Sequence, residues 1–137
     1  MKIEFKDIYE NINIKSVVIG AAIFAFIVVL GYRNNILEIL SIFSTVGLLY
    51  IGYASQNKLQ GIILGAIGTL PLGIGAAFFE LLGKNMGTNN EILIIVSFLA
   101  IGAFCGFTGA YFSVSRKKAI EEKMKEESMK AKNKYKK

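Results

Sequence analysis

The sequence predicts an all-α integral membrane protein: a four-transmembrane-helix bundle with a short N-terminal interfacial helix and a charged C-terminal helical tail. Three observations carry that expectation. Apolar residues make up 53% of the 137-residue chain, yet it holds sixteen bases and ten acids. These two facts are compatible only if charge is segregated along the chain, and it is. Between charged residues lie four long uncharged runs, 16–32, 39–57, 59–79 and 92–115, of 17, 19, 21 and 24 residues. A bilayer core is crossed by about 17–25 residues of apolar helix, so every run has a spanning length. None carries the polar stripe, recurring every 3.6 residues, that a surface helix in water needs.

The leader "MKIEFKDIYENIN", residues 1–13, sets Ile3, Ile8 and Ile12 at roughly helical spacing with charges between them. That pattern suits an amphipathic helix lying on the cytoplasmic leaflet. Glu4, Asp7 and Glu10 stand where a secretory signal would be basic, so the first apolar run is expected to remain as a span. The transmembrane domain covers 14–115, with helices expected at about 14–32, 36–54, 59–82 and 91–115. The link "RNN" is short enough to make the first two an antiparallel hairpin. "SQNK" turns the chain between the second and third. "GKNMGTNN" forms the third link, with Thr88, Asn89 and Asn90 as candidate caps of the fourth helix.

The third run, "GIILGAIGTLPLGIGAAF", holds five glycines and the only proline of the chain. In water each interior Gly costs a helix about 1 kcal/mol against Ala, and Pro about 3. In lipid the backbone has no water to bond, so small residues instead serve close helix approach. Gly61, Gly65, Gly68 and Gly73 on the third helix are therefore expected as packing positions. Gly102, Gly106 and Gly109, stepped by four and three on the fourth, are expected to meet them. Pro71 leaves the carbonyl of Ile67 without its donor and favours a bend. Thr69 is placed to satisfy freed backbone groups. Thr69 and Pro71 together form the candidate hinge, and the one place where a path would run if the protein transports anything.

Orientation follows from the bases. With four spans, both termini and the second link share one side, and that side collects Lys2, Lys6, Lys15, Lys58 and all ten bases from Arg116 onward, 14 of 16. The positive-inside rule makes that side cytoplasmic, so the expected location is the cell membrane with both termini inside. Lys15, Arg116, Lys117 and Lys118 sit next to span ends, where they are expected to bind anionic headgroups rather than nucleic acid. The tail, 116–137, is basic and carries Glu121–Lys125 and Glu126–Lys130 pairs that support a solvated helix.

Residue types also exclude chemistry. The chain has no histidine, which removes imidazole acid–base catalysis and Ser–His triads. Its one cysteine, Cys105, lies in mid-span without a base nearby. No catalytic residue, metal site or cofactor is expected. No span carries the buried carboxylate that ion-coupled transporters and rotor subunits use.

The stretch from Gly47 to Phe78 resembles a family of small archaeal four-helix membrane proteins of unknown function. The shared features are Gly47, the Gly52–Tyr53 pair before a polar turn, then Gly61, Gly65 and Gly68 leading to Pro71. The resemblance covers about a quarter of the chain and implies an architecture without an activity. The expected function is thus non-enzymatic: a structural, accessory or assembly component of the membrane. Its expected partners are the bilayer, a second copy through a glycine face, or a larger membrane complex through the surface of the bundle and its tail. The alternative is a small oligomeric channel or transporter with its path near Thr69 and Pro71.

Overall fold

The computed structural model describes residues 12–33, 43–78 and 88–134, the side chains of 32–33, 88–90 and 131–134 excepted. The leader at 1–11, the first link with Glu38, and Glu80 with most of the third link lie outside the described residues. Among the described residues every regular element is helical. We number them α1 (Ile14–Arg33), α2 (Thr45–Ala54), α3 (Lys58–Phe78) and α4 (Thr88–Lys134). Three of them, α1, α3 and α4, are long and apolar enough to cross a membrane.

Two of the helices, α1 and α3, have side-chain caps at their starts. Asn13 caps α1: its side-chain oxygen accepts from the Ser16 amide at 3.3 Å, and its carbonyl accepts from Ser16 and Val17. A short 3₁₀ turn at Phe43 and Ser44 leads into α2. Between α2 and α3 only residues 55–57 are non-helical. There Asn57 Oδ1 accepts from the Gln60 amide at 2.7 Å, and Gln60 Oε1 accepts from the Gln56 amide at 2.8 Å. This is a variant of the capping box on an N-x-x-Q pattern, the Gln side chain reaching back to the amide of the residue before the Asn cap. Gln60 is 1% exposed, so its amide would be costly to bury without these partners. Ser55 completes the turn by donating to the carbonyl of Ile51 at 2.9 Å.

Thr88, Asn89 and Asn90 already belong to α4 rather than standing before it as caps. The helix then continues through Ser115 into the charged segment without a break. By the helical rise of about 1.5 Å per residue, the part from Arg116 to Lys134 projects on the order of 27 Å past the end of the uncharged run at Ser115.

The packing inverts the usual relation of size to burial. The fully enclosed apolar side chains form one small cluster of Phe24, Leu48, Ile51, Leu64, Leu72 and Cys105. Most other buried positions are Gly, Ala, Ser or Thr. Large apolar residues face outward instead: Phe104 and Ile92 are each 71% exposed, and Phe26 is 66% exposed. α3 packs most extensively against α4, and α2 touches all three other helices.

Candidate functional site

The glycines of α3 and α4 meet as reciprocal pairs. A Cβ placed on Gly61 would lie 2.6 Å from the carbonyl oxygen of Gly106, and one on Gly106 would run into the carbonyl of Gly61. Gly65 and Gly102 stand in the same mutual relation. In a glycine that direction is occupied by the second Hα, so each backbone aims a Cα–H at the carbonyl of the other. Such contacts contribute about 0.5–1 kcal/mol each and recur where helices approach closely. The register, 61 opposite 106 and 65 opposite 102, makes the two helices antiparallel.

Not every expected packing glycine serves this crossing. Gly68 turns away from α4: a Cβ there would sit 2.6 Å from Ile51 Cδ1 of α2. Gly73 faces the side chain of Phe98, with 3.3 Å of room to its Cβ. Gly109 lies under α2, where a Cβ would fall 2.8 Å from the amide nitrogen of Tyr53. Gly106 is shared, because its carbon and Cα also limit Gly52 at 2.8 and 2.9 Å. A further reciprocal pair, Gly20 of α1 with Gly47 of α2, closes the other side of the bundle.

Thr69 and Pro71 separate in space. Thr69 is fully buried at 0% exposure and packs into the gap left by Gly102, whose Cβ would come within 2.7 Å of the threonine hydroxyl. Its hydroxyl donates to the carbonyl of Ala66 at 2.8 Å. The expectation that this hydroxyl serves the group freed by Pro71 is therefore corrected. The bond taken is to the carbonyl three residues back, a local side-chain-to-backbone pattern, and not to that of Ile67, which the proline deprives of its donor. Pro71 is exposed on the outer face of a helix assigned without interruption.

One end of the bundle concentrates polarity. Arg116 Nη1 donates to the hydroxyl of Tyr53 at 2.6 Å. Lys58 Nζ stands 4.6 Å from the ring centre of Tyr111 and 5.9 Å from that of Phe107, within the range of cation–π attraction. Tyr111 in turn packs edge-on against Phe112 at 6.2 Å between ring centres. Lys117 and Lys118 follow, both exposed. Gly20 packs against Ile51, so Lys15, which precedes it on α1, lies at this same end, where α2 stops at Ala54. All four bases expected to meet headgroups thus converge, beside a collar of tyrosines and phenylalanines.

One feature of this end has a readable signal that residue counting passes over, and another has none. The N-x-x-Q spacing at 57–60 marks the capping-box variant. The Tyr53–Arg116 bond, which spans 63 positions, has no local signature. Among the described residues no group of three or more His, Cys, Asp or Glu is arranged to hold a metal. Cys105 is buried between helices.

No family model, no curated protein and no solved structure matches this chain.

Proposed function

We propose that this protein is a multi-pass membrane protein of the cell membrane, with four spans and both termini cytoplasmic, acting as a non-enzymatic structural, accessory or assembly component. The observation that carries the proposal is the inverted packing. Soluble monomers rarely expose an apolar patch beyond a few hundred Å², whereas here large apolar side chains face outward on α1, on α3 and on α4 from Ile92 to Phe112. Lipid removes the cost of that surface and rewards the glycine contacts inside. α2 is the fourth span, its ten described residues being the inner part of the uncharged run 39–57.

The end that carries Lys15, Lys58, Arg116, Lys117 and Lys118 is the cytoplasmic interface. Tyrosines belong at that depth, and anionic headgroups supply the countercharge. A non-enzymatic role fits a chain without histidine, whose small residues are used in helix contact. A conduction path at the bend has less support, since Thr69 is enclosed and its hydroxyl bonded while Pro71 faces outward. The likeness of Gly47 to Phe78 to the archaeal membrane family is in keeping with this reading.

The test is reconstitution of the full chain into vesicles, with ion and dye flux measured beside crosslinking in native membrane. Absence of flux together with crosslinks to a larger complex supports an accessory role. Flux that changes with Thr69→Val or Pro71→Ala overturns it in favour of a channel or transporter.

A further inference from the structure

Between α2 and α4 runs an open groove of about 270 Å³ lined by Val46, Leu49, Tyr50, Tyr53, Gly109 and Phe112. Gly109 makes its floor: with no side chain there, the backbone of α4 comes up against that of α2. Val46, Tyr50 and Phe112 are exposed and form the rims. At one end the groove reaches Tyr53, and Tyr53 accepts the hydrogen bond from Arg116.

We propose that this groove holds one acyl chain of an anionic phospholipid, whose phosphate is bound by Arg116 with the Tyr53 hydroxyl beside it. The proposal rests on the membrane placement given above. Two independent features meet at the site. The trough is apolar and lies below the usual 300–1,000 Å³ of pockets that enclose a whole small ligand, so it suits a length of hydrocarbon rather than a complete molecule. The guanidinium at its end has five donors. Among the described residues it bonds only Tyr53, and no carboxylate pairs with it.

The Tyr53 hydroxyl, having accepted from Arg116, keeps its own proton to donate. On the helix, the residue one turn beyond Arg116 is Ile120; Glu121 and Glu122 are rotated off that face. Lys117 and Lys118 add positive charge beside it. A ligand with one hydrocarbon chain in the groove and a fork-binding anion at the mouth satisfies both features.

The experiment is native mass spectrometry of the full chain, released from detergent with phosphatidylglycerol or phosphatidylcholine of identical chains. The expected result is retention of phosphatidylglycerol about tenfold above phosphatidylcholine, the scale of one charge-assisted hydrogen bond. Arg116→Gln brings the two to near parity. Lys123→Gln, on the same face about 10 Å further along the helix, leaves the preference intact. Val46→Phe, which fills the groove from its exposed rim, lowers phosphatidylglycerol retention about tenfold with helix content unchanged.

Equal retention of both lipids by the native chain overturns the proposal. So does a loss with Lys123→Gln as large as that with Arg116→Gln, which would mean diffuse charge attraction. A lipid-free dimer that Val46→Phe dissociates assigns the groove to a second copy instead. A chain that is monomeric and soluble without detergent removes the membrane placement itself, whereas a detergent-dependent chain with no lipid preference removes the lipid site alone.

Discussion

Replacing Gly106 with Ala adds one methyl at the closest point of the bundle, and the structure sets its cost. The new Cβ would collide with the carbonyl oxygen of Gly61, and it would stand 2.9 Å from the Gly61 carbonyl carbon and 3.0 Å from Gly65 Cα. Ordinary contact begins at 3.4 Å. All three obstacles are backbone, so no rotamer change relieves them, and α3 and α4 must part locally by about 1 Å. A gap of that size forfeits about a quarter to a half of the dispersion well at each contact, and overpacking of this kind costs about 1–3 kcal/mol.

The better helix propensity of Ala returns up to about 1 kcal/mol, so the net loss is about 1–2 kcal/mol, a factor of roughly 5–30 in the folded population. Gly73→Ala is the matched control. Its Cβ meets only the Phe98 side chain, at 3.3 Å and beyond, so the same propensity gain offsets that tight contact and its stability should stay within about 1 kcal/mol of the parent. The assay is unfolding in mixed micelles followed by helix circular dichroism, with both variants run beside the parent. A Gly106→Ala protein as stable as Gly73→Ala would refute the claim that backbone contact between α3 and α4 sets the packing.

Other substitutions probe separate parts of the bundle. Gly47→Ala brings a Cβ to 2.9 Å from the Phe24 amide nitrogen and against the Gly20 carbonyl, so it should destabilise the α1–α2 contact by about 1–3 kcal/mol in the same unfolding assay. Asn57→Ala removes the cap of α3 and leaves the Gln60 amide without its side-chain partner; a loss of about 1 kcal/mol is expected by thermal melting. Thr69→Val keeps the shape that fills the gap beside Gly102 and removes only the local bond to Ala66. It should change stability by less than about 1 kcal/mol and leave vesicle permeability unaltered. Lys58→Gln removes the cation over Tyr111, and a loss of about 0.5–1 kcal/mol is expected because that site is exposed.

Much of the helical layout is visible in charge placement alone. Helices span or enter all four uncharged runs, and α3 occupies 58–78 where the third run is 59–79. In the membrane placement proposed above, segregated charge is legible because it follows from the cost of ions in hydrocarbon, which acts on each residue separately. The pairing of Gly61 and Gly65 with Gly102 and Gly106 is legible for a similar reason, since small residues spaced by four form a groove on any helix.

What each glycine faces is harder to read. Gly68 is three positions from Gly65, on the edge of the same face, and whether it meets α4 or Ile51 of α2 depends on where α2 lies. The Gly20–Gly47 and Gly109–Leu49 contacts depend likewise on crossing positions that no periodicity encodes. The partner of the Thr69 hydroxyl is hard to read for a different reason. A hydroxyl within a helix has several carbonyls in reach, and here the choice of Ala66 goes with its placement against Gly102. The Tyr53–Arg116 bond joins residues far apart in sequence, so only the folded bundle brings the groove and its charge together.

The central claim, that the large apolar faces lie in lipid while α4 leaves the membrane beyond Ser115, is tested most directly by spin-label accessibility along α4. Cys105, the one native cysteine, is first replaced by Ala, and single cysteines are then labelled at 104, 112, 118 and 124 in reconstituted vesicles. The account predicts that labels at 104 and 112 collide with oxygen and are shielded from a water-soluble nickel chelate, with the reverse at 118 and 124. Free access of the chelate at 104 and 112 would contradict it.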